Sequence, residues 1–423
     1  MSAFLLRRLF HAAVTMLVAV SLIFIAMRLL PGNPLLARFG QHPDAEQMQR
    51  IIHDQGWDQP IVSQLGTFLH QLATTGDFGE SISRSNENVS DELARRIPAT
   101  IELAVVAMLL AIPLGVGAGI AAAVWRNRWP DRACMAGAML GVSIPVFFLG
   151  ICLRAVFTGM PIGFRLPAFV IDFEPITEFY LLDTLLQQRF DLFGTALMHI
   201  CLPALALSSI PMSIIARITR SSMLEVLGAD FVRTGRAKGA SKWRVVLRHA
   251  LPNAAAPIVN IAGFQIGVLL SGAVLTETVF DWPGMGKYVV DAVRENDYVI
   301  VQAGAFVIAT IFVSANLIVD LLYLWLDPRD SKDKSIVIGY SVGGLFVGGL
   351  VGALVGAGMG SNKNRADSVF GVLDNAASGF QSGAIGALVG GVIGAGIGLM
   401  IGESVFNKKK ENADPNIALF LKL

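Results

Sequence analysis

Long apolar blocks separated by short polar segments run through the chain. Six blocks before residue 330 reach the ~20 residues that a helix needs to cross a bilayer core. They lie at about 9–29, 99–124, 133–157, 195–215, 253–279 and 299–326. The pattern predicts six transmembrane helices. The polar stretch 31–98 is too long for a simple connection. It carries helical and turn signals of its own, "AEQMQRIIHDQGW" and "TTGDFGE".

Composition agrees with the pattern. The chain has 423 residues, of which 54% are hydrophobic and 15% charged. Its mean hydropathy is +0.60. A soluble chain is charged at about a quarter of its positions. The fold class is therefore an all-α integral membrane protein, solvated by the lipid bilayer and not a nucleic-acid binder. Cys134, Cys152 and Cys201 lie in apolar blocks without metal-ligand spacing, and read as small buried apolar residues. Arg7 and Arg8 before the first block resemble the start of a signal peptide. The apolar run is too long for that, and it reads as an uncleaved anchor.

Lys and Arg asymmetry orients the spans. Segment 125–132 carries three arginines against one acid, and 217–251 carries eight Lys or Arg against two acids. The alternate loops are acidic: nine acids to five bases in 31–98, five to two in 159–194, and four to two in 281–298. The expected topology is multi-pass with both termini in the cytoplasm.

One basic segment has an internal order that topology alone does not explain. "RTGRAKGASKWRVVLRHALP" holds Arg233, Arg236, Lys238, Lys242, Arg244 and Arg248, and no acid. Gly239 follows a short helical pattern, 230–238, where a left-handed cap would end it. Ser241 is placed to N-cap a second helix. In that helix Trp243, Val246, Leu247, Ala250 and Leu251 make one apolar stripe. Pro252 then closes the element before the next span. A membrane-surface helix accounts for the stripe but not for the upstream helix and the glycine break.

This elbow, with the ending His249-Ala250-Leu251-Pro252, resembles the cytoplasmic loop of ABC-importer permeases. The usual leading Glu-Ala-Ala is replaced by Arg233-Thr234-Gly235, and His249 stands where an apolar residue is typical. "LLRRLFHAAVTMLVAVSLIFIAMRLLPGNP", "RIPATIEL", "VLTETVFDWPGMGKYVVDAV" and "NLIVDLLYLWLDPRD" resemble the dipeptide, oligopeptide and nickel permeases, and "DFEPITEFYLLDTLL" and "RSSMLEVLG" resemble the dipeptide members most. The resemblance covers about residues 1–330.

It implies a six-span permease domain in a bacterial inner membrane, with 31–98 as an extracytoplasmic region and 217–252 as a coupling loop. It also implies a second homologous permease subunit, two cytoplasmic ATPase subunits and an extracytoplasmic substrate-binding protein. The elbow would seat in the ATPase: Gly239 permits the turn, Trp243 and Leu247 fill a pocket, and Arg236 and Lys238 add charge contacts. Arg233, Ser241, Leu251 and Pro252 belong to the same coupling set. The substrate would be a dipeptide or short oligopeptide. A nickel or other small-solute importer, or an export permease on the same scaffold, are the alternatives. No G-x-x-x-x-G-K-[ST] motif is present, so the chain is expected not to be an enzyme, and no cofactor or metal is implied.

Charged residues within spans are candidates for the translocation pathway. Asp320 and Glu277 are two such candidates, with Asp281 and Trp282 beside the second. For Glu277 and Asp320 a structural role is the bland alternative. Arg154 is expected to snorkel, and His199 to be a hydrogen-bonded structural histidine. "DWPGMGKYVVDAV" predicts a turn and a short amphipathic helix with Tyr288, Val289 and Ala292 on its apolar side.

After residue 330 the pattern changes. Gly344, Gly348, Gly352, Gly356 and Gly360 recur every fourth residue, as do Gly386, Gly390, Gly394, Gly398 and Gly402. Such stripes let helices approach closely in lipid. They predict a two-span glycine-zipper hairpin, 331–423, outside the permease pattern.

Overall fold

The computed structural model describes residues 56–326, except 85, 86, 168 and 296, with scattered positions between 10 and 53. The glycine-rich segment 331–423 lies outside the described residues. The chain divides into Asn33–Pro328 and a second unit of Met1–Gly32 with Arg329–Leu423. In the second, the described positions Phe10, Ala13, Met16, Leu17, Val20, Ser21, Phe24 and Ile25 are helical.

The described helices of Asn33–Pro328 begin with α1 (Ile61–Thr75), α2 (Val89–Val124), α3 (Trp129–Ser143), α4 (Val146–Val156), α5 (Tyr180–Leu186), α6 (Phe190–Leu227) and α7 (Asp230–Ala237). Then come α8 (Lys242–Arg244), a π-turn (Val245–Ala250), α9 (Leu251–Gly272), α10 (Val274–Val279), α11 (Met285–Glu295) and α12 (Tyr298–Leu326). Among the described residues four helices are long and apolar enough to cross a membrane, or five if α3 and α4 form one broken span.

Local chemistry sets the helix ends and breaks. Asn88 caps α2 by accepting from the backbone N–H groups of Ser90 and Asp91, at 2.8 and 3.2 Å. Asp91 and Glu92 in the first turn suit the positive end of the helix dipole. The helix therefore starts about three turns before the apolar block does. The block 133–157 is not one straight helix, because α3 and α4 meet at 107°. Ile144, which precedes Pro145, adopts extended backbone at φ −83°, ψ 121°. The proline ring disfavours helical backbone there. The block 253–279 likewise divides into α9 and α10.

The bundle is held by close approach of α2 and α6. A Cβ added at Gly115 would lie 2.8 Å from the Met212 carbonyl, and one at Gly119 would lie 2.6 Å from that of Ala216. Small residues at those crossings are what let two backbones pack in lipid. Leu103, Ala107, Ile200, Ala204, Ile258 and Leu269 form the core between α2, α6 and α9. Val105, Leu109, Met139, Leu140, Phe148 and Ile151 face outward, as a lipid solvent allows. The cysteines are not buried as expected: Cys134 and Cys152 are half-buried and Cys201 is exposed. An apolar side chain need not hide from lipid, so the expectation carried over from soluble cores fails here.

Candidate functional site

The elbow consists of α7, a glycine turn and the α8–π-turn–α9 helix. At its corner Gly239 has φ 81°. Ala240 N–H donates to Gly235 O at 3.2 Å, and Gly239 N–H donates to Arg236 O at 2.9 Å. This is the six-to-one and five-to-two pairing of a Schellman turn, which needs left-handed backbone at the glycine. Nothing lies within 4 Å of where a Cβ would stand. Glycine is thus required here by conformation, not by space within the chain.

The second leg differs from the sequence expectation in three ways. Ser241 precedes α8 with extended backbone, but its hydroxyl makes no capping hydrogen bond. The start of the leg is exposed, where water can satisfy its first N–H groups. Pro252 does not close the element, since the helix runs on from α8 through the π-turn into α9. Proline in a regular helix would press on the carbonyl four residues back, that of Arg248. The wider turn relieves this: Leu251 N–H reaches Val246 O, and Asn253 Nδ2 donates to His249 O at 2.6 Å.

The π-turn also rotates the apolar stripe, because it takes in more residues per turn than an α-helix. Val245, Val246 and Ala250 are buried against the bundle and Leu251 is partly buried, whereas Trp243 and Leu247 are 49% and 52% exposed. Phe231 on α7 is 48% exposed. Three large apolar side chains thus stand open on the elbow, among the exposed Arg233, Arg236, Lys238, Lys242, Arg244 and Arg248.

The elbow rests on a rigid floor. Arg220 on α6 grips Asp131 on α3 at 2.6 and 2.8 Å, and the Asn127 N–H donates to the same carboxylate at 2.9 Å. Trp125, which ends α2, meets Trp243 edge to face at 6.1 Å and 74°.

At the far end of α2 lies a second cluster, a cap. Glu102 pairs with Arg165 at 2.5 Å and accepts from Leu181 N–H at 2.7 Å. The Arg165 guanidinium lies 3.7 Å from the Tyr180 ring centre. Glu277 accepts from Thr100 Oγ1 at 2.6 Å and from Lys287 N–H at 2.8 Å. A Cβ on Gly284 would lie 2.3 Å from that carboxylate, so the Pro283-Gly284 turn wraps it closely. Trp282 Nε1 donates to Ala99 O at 3.0 Å. The Tyr288 hydroxyl donates to Glu87 at 2.6 Å, and burial pushes that phenol well above its usual range. Asp297 accepts from Ser81 Oγ at 2.7 Å and Ser83 N–H at 2.8 Å.

The geometry places the pathway candidates as follows. Glu277 and Trp282 are buried in the chain's own packing and tie α2 to α10 and α11; their side chains face no open path here. Turn backbone and Thr100 solvate the Glu277 carboxylate, as its structural alternative requires. Asp281 is exposed and lies 3.4 Å from Lys287 Nζ. Asp320 lies in α12, but its surroundings are outside the described residues. The Arg154 guanidinium donates to the Val279 carbonyl. His199 Nδ1 lies 2.9 Å from Gly163 O. The helix α11 buries Met285, Tyr288 and Ala292, with Val289 partly buried. Sequence reasoning missed Arg165, Glu102 and Trp125. For Trp125, its place at the end of a long apolar block beside arginines was the available signal.

Residues 115–332 match the family described as binding-protein-dependent transport system inner membrane component, and 1–104 match that system's membrane component N-terminal region. A dipeptide transport system permease protein of Alkalihalophilus pseudofirmus is 42% identical over 334 residues, 78% of this chain and 99% of the relative. A probable D,D-dipeptide transport system permease protein of Escherichia coli is 42% identical over 310 residues, 72% of this chain and 91% of the relative. A glutathione transport system permease protein of Salmonella choleraesuis is 38% identical over 325 residues, 77% of this chain and 97% of the relative. With a helical bundle, several apolar spans and full-length relatives at this identity, the chain belongs to the family of inner membrane components of binding-protein-dependent transport systems.

Proposed function

We propose that this chain is one permease subunit of an importer for dipeptides or short oligopeptides, with its elbow in the cytoplasm as the ATPase docking element. The observation that carries the docking reading is the exposure of Phe231, Trp243 and Leu247 among six cations, on an elbow whose Val232, Val245, Val246 and Ala250 are buried. Exposed aromatic and aliphatic anchors inside a charged rim are what a protein interface needs. The charge asymmetry favours this end in the cytoplasm and the ion-paired cap outside, where a substrate-binding protein would dock. A second permease completes the pathway, and two ATPases drive it between states that bind substrate differently. The peptide substrate rests on the names of the relatives, which are dipeptide and glutathione transport permeases.

The test is reconstitution of the permease pair, ATPases and binding protein in proteoliposomes. Labelled dipeptide should accumulate with ATP, and excess nickel should not compete. Accumulation of radioactive nickel without dipeptide uptake would overturn the substrate assignment. Accumulation in the opposite direction would favour an exporter.

The tail 331–423 reads as a self-packed hairpin outside the transport machinery, a view supported by the end of the family match at residue 332. A chain ending at Lys334 should assemble and transport as the full chain does; failure to assemble would make the tail part of the core.

A further inference from the structure

We infer that Trp125 is a positioning residue that couples movement of the elbow to α2, and through α2 to the cap. This rests on the docking reading above.

The residues at the C-terminal end of α2 support it. The Trp125 ring meets Trp243 edge to face, and the Lys242 ammonium lies 5.7 Å from the Trp125 ring centre. Both partners sit on the first turn of the elbow's second leg, and Trp243 is one of the exposed anchors. Trp125 therefore touches the docking surface from behind, on the chain side.

Its own footing is firm. Arg128 N–H donates to Trp125 O at 3.0 Å. Asn127 holds a left-handed backbone at φ 62°, and its N–H is fixed to Asp131, which Arg220 grips with two hydrogen bonds. A push on Trp125 thus meets a turn braced on α3 and α6. It does not meet a loose loop.

From Trp125 the load has a path. The helix α2 has 36 residues, roughly 54 Å at 1.5 Å per residue. It is keyed into α6 at Gly115 and Gly119, where no side chain fits. At its N-terminal end the Ala99 carbonyl accepts from Trp282, Thr100 donates to Glu277, and Glu102 holds Arg165. The elbow is joined covalently to α6 and α9. The pair Trp125–Trp243 adds α2, the helix that carries the cap contacts.

The experiment uses the complete importer in proteoliposomes, with Trp125→Leu, Trp125→Phe and Trp243→Ala. The readouts are ATPase co-purification and dipeptide taken up per ATP hydrolysed. Leucine keeps apolar bulk but loses the edge-to-face and cation contacts, whereas phenylalanine keeps a ring. An aromatic pair with a cation contact is worth about a three- to tenfold change in an equilibrium. Trp125→Leu should keep its ATPases yet lose about three- to tenfold in uptake per ATP, with Trp125→Phe near the parent. Unchanged uptake per ATP in Trp125→Leu would overturn the inference, as would an equal loss in the phenylalanine variant. Loss of ATPase attachment in Trp125→Leu would also overturn it, by making Trp125 part of the docking surface. Full attachment and transport in Trp243→Ala would instead overturn the docking reading itself.

Discussion

The two ends of α2 solve opposite problems. At the N-terminal end, buried polar and charged groups pair with one another: Glu102 with Arg165, Glu277 with Thr100 and Lys287, and Asp297 with Ser81 and Ser83. At the C-terminal end, cations and large apolar side chains stand open together, with Val245, Val246 and Ala250 pinning the leg to the bundle. A buried polar group left unpaired is destabilising, and most of the cap's groups find partners within the chain, although Arg165 Nε and Thr276 Oγ1 are buried without one. An exposed tryptophan beside arginines is tolerable in water and becomes favourable when a partner covers it. On the proposed docking reading, the contrast separates residues that keep the fold from residues that meet another subunit. Substitutions at the N-terminal end should therefore act on stability, and those at the C-terminal end on assembly.

The largest stability effect is expected at Arg165→Ala, which leaves Glu102 buried without its cation. Breaking such a pair is destabilising by about 3–5 kcal/mol. Thermal unfolding in detergent should shift down clearly, and replacing both residues with apolar ones should recover part of the loss. An unchanged transition would mean the pair is solvated in the assembled importer. Glu277→Ala should follow, since it leaves the Thr100 O–H and the Lys287 N–H without their acceptor, at about 1–3 kcal/mol each, although Thr100 Oγ1 still accepts from Met285 N–H. The same melting assay checks it, with Glu277→Gln as the milder comparison.

A smaller effect belongs to Asp77, outside the spans. The Gly79 N–H, with Ser90 and Asn88, holds its carboxyl below the ordinary 3.8. Its stabilising contribution is fully present above that ordinary value and is lost as pH falls through the lower, folded one. Melting temperature against pH should show this loss in the parent chain and not in Asp77→Asn. Identical acid limbs in the two would show that the carboxylate contributes nothing.

The contrast also marks what the sequence could reveal. Apolar blocks located the spans because hydropathy needs no partner to be read. The Gly239 turn could be read because one residue type suits one backbone conformation. The bend at Pro145 was signalled by the proline, yet continuous hydropathy on both sides hid it. The π-turn was not legible, since a 3.6-residue period assumes the regular helix that Pro252 disrupts, and the buried face was misread accordingly. The cap was illegible for a different reason. Glu102 and Arg165 are 63 residues apart, and Thr100 and Glu277 are 177 apart. Only folding brings them together, so the sequence left Glu277 open between a pathway group and a structural carboxylate.

The central claim, that the open inner end is where the ATPases sit, is tested most directly by cross-linking. With Cys134, Cys152 and Cys201 replaced, single cysteines at Leu247 and at Ile171, an outer position 88% exposed, would be treated with a short thiol-to-amine linker in membranes holding the whole importer. The Leu247→Cys chain should link to an ATPase subunit and the Ile171→Cys chain should not. A link from Ile171→Cys, or none from Leu247→Cys while the complex is intact, would contradict the claim.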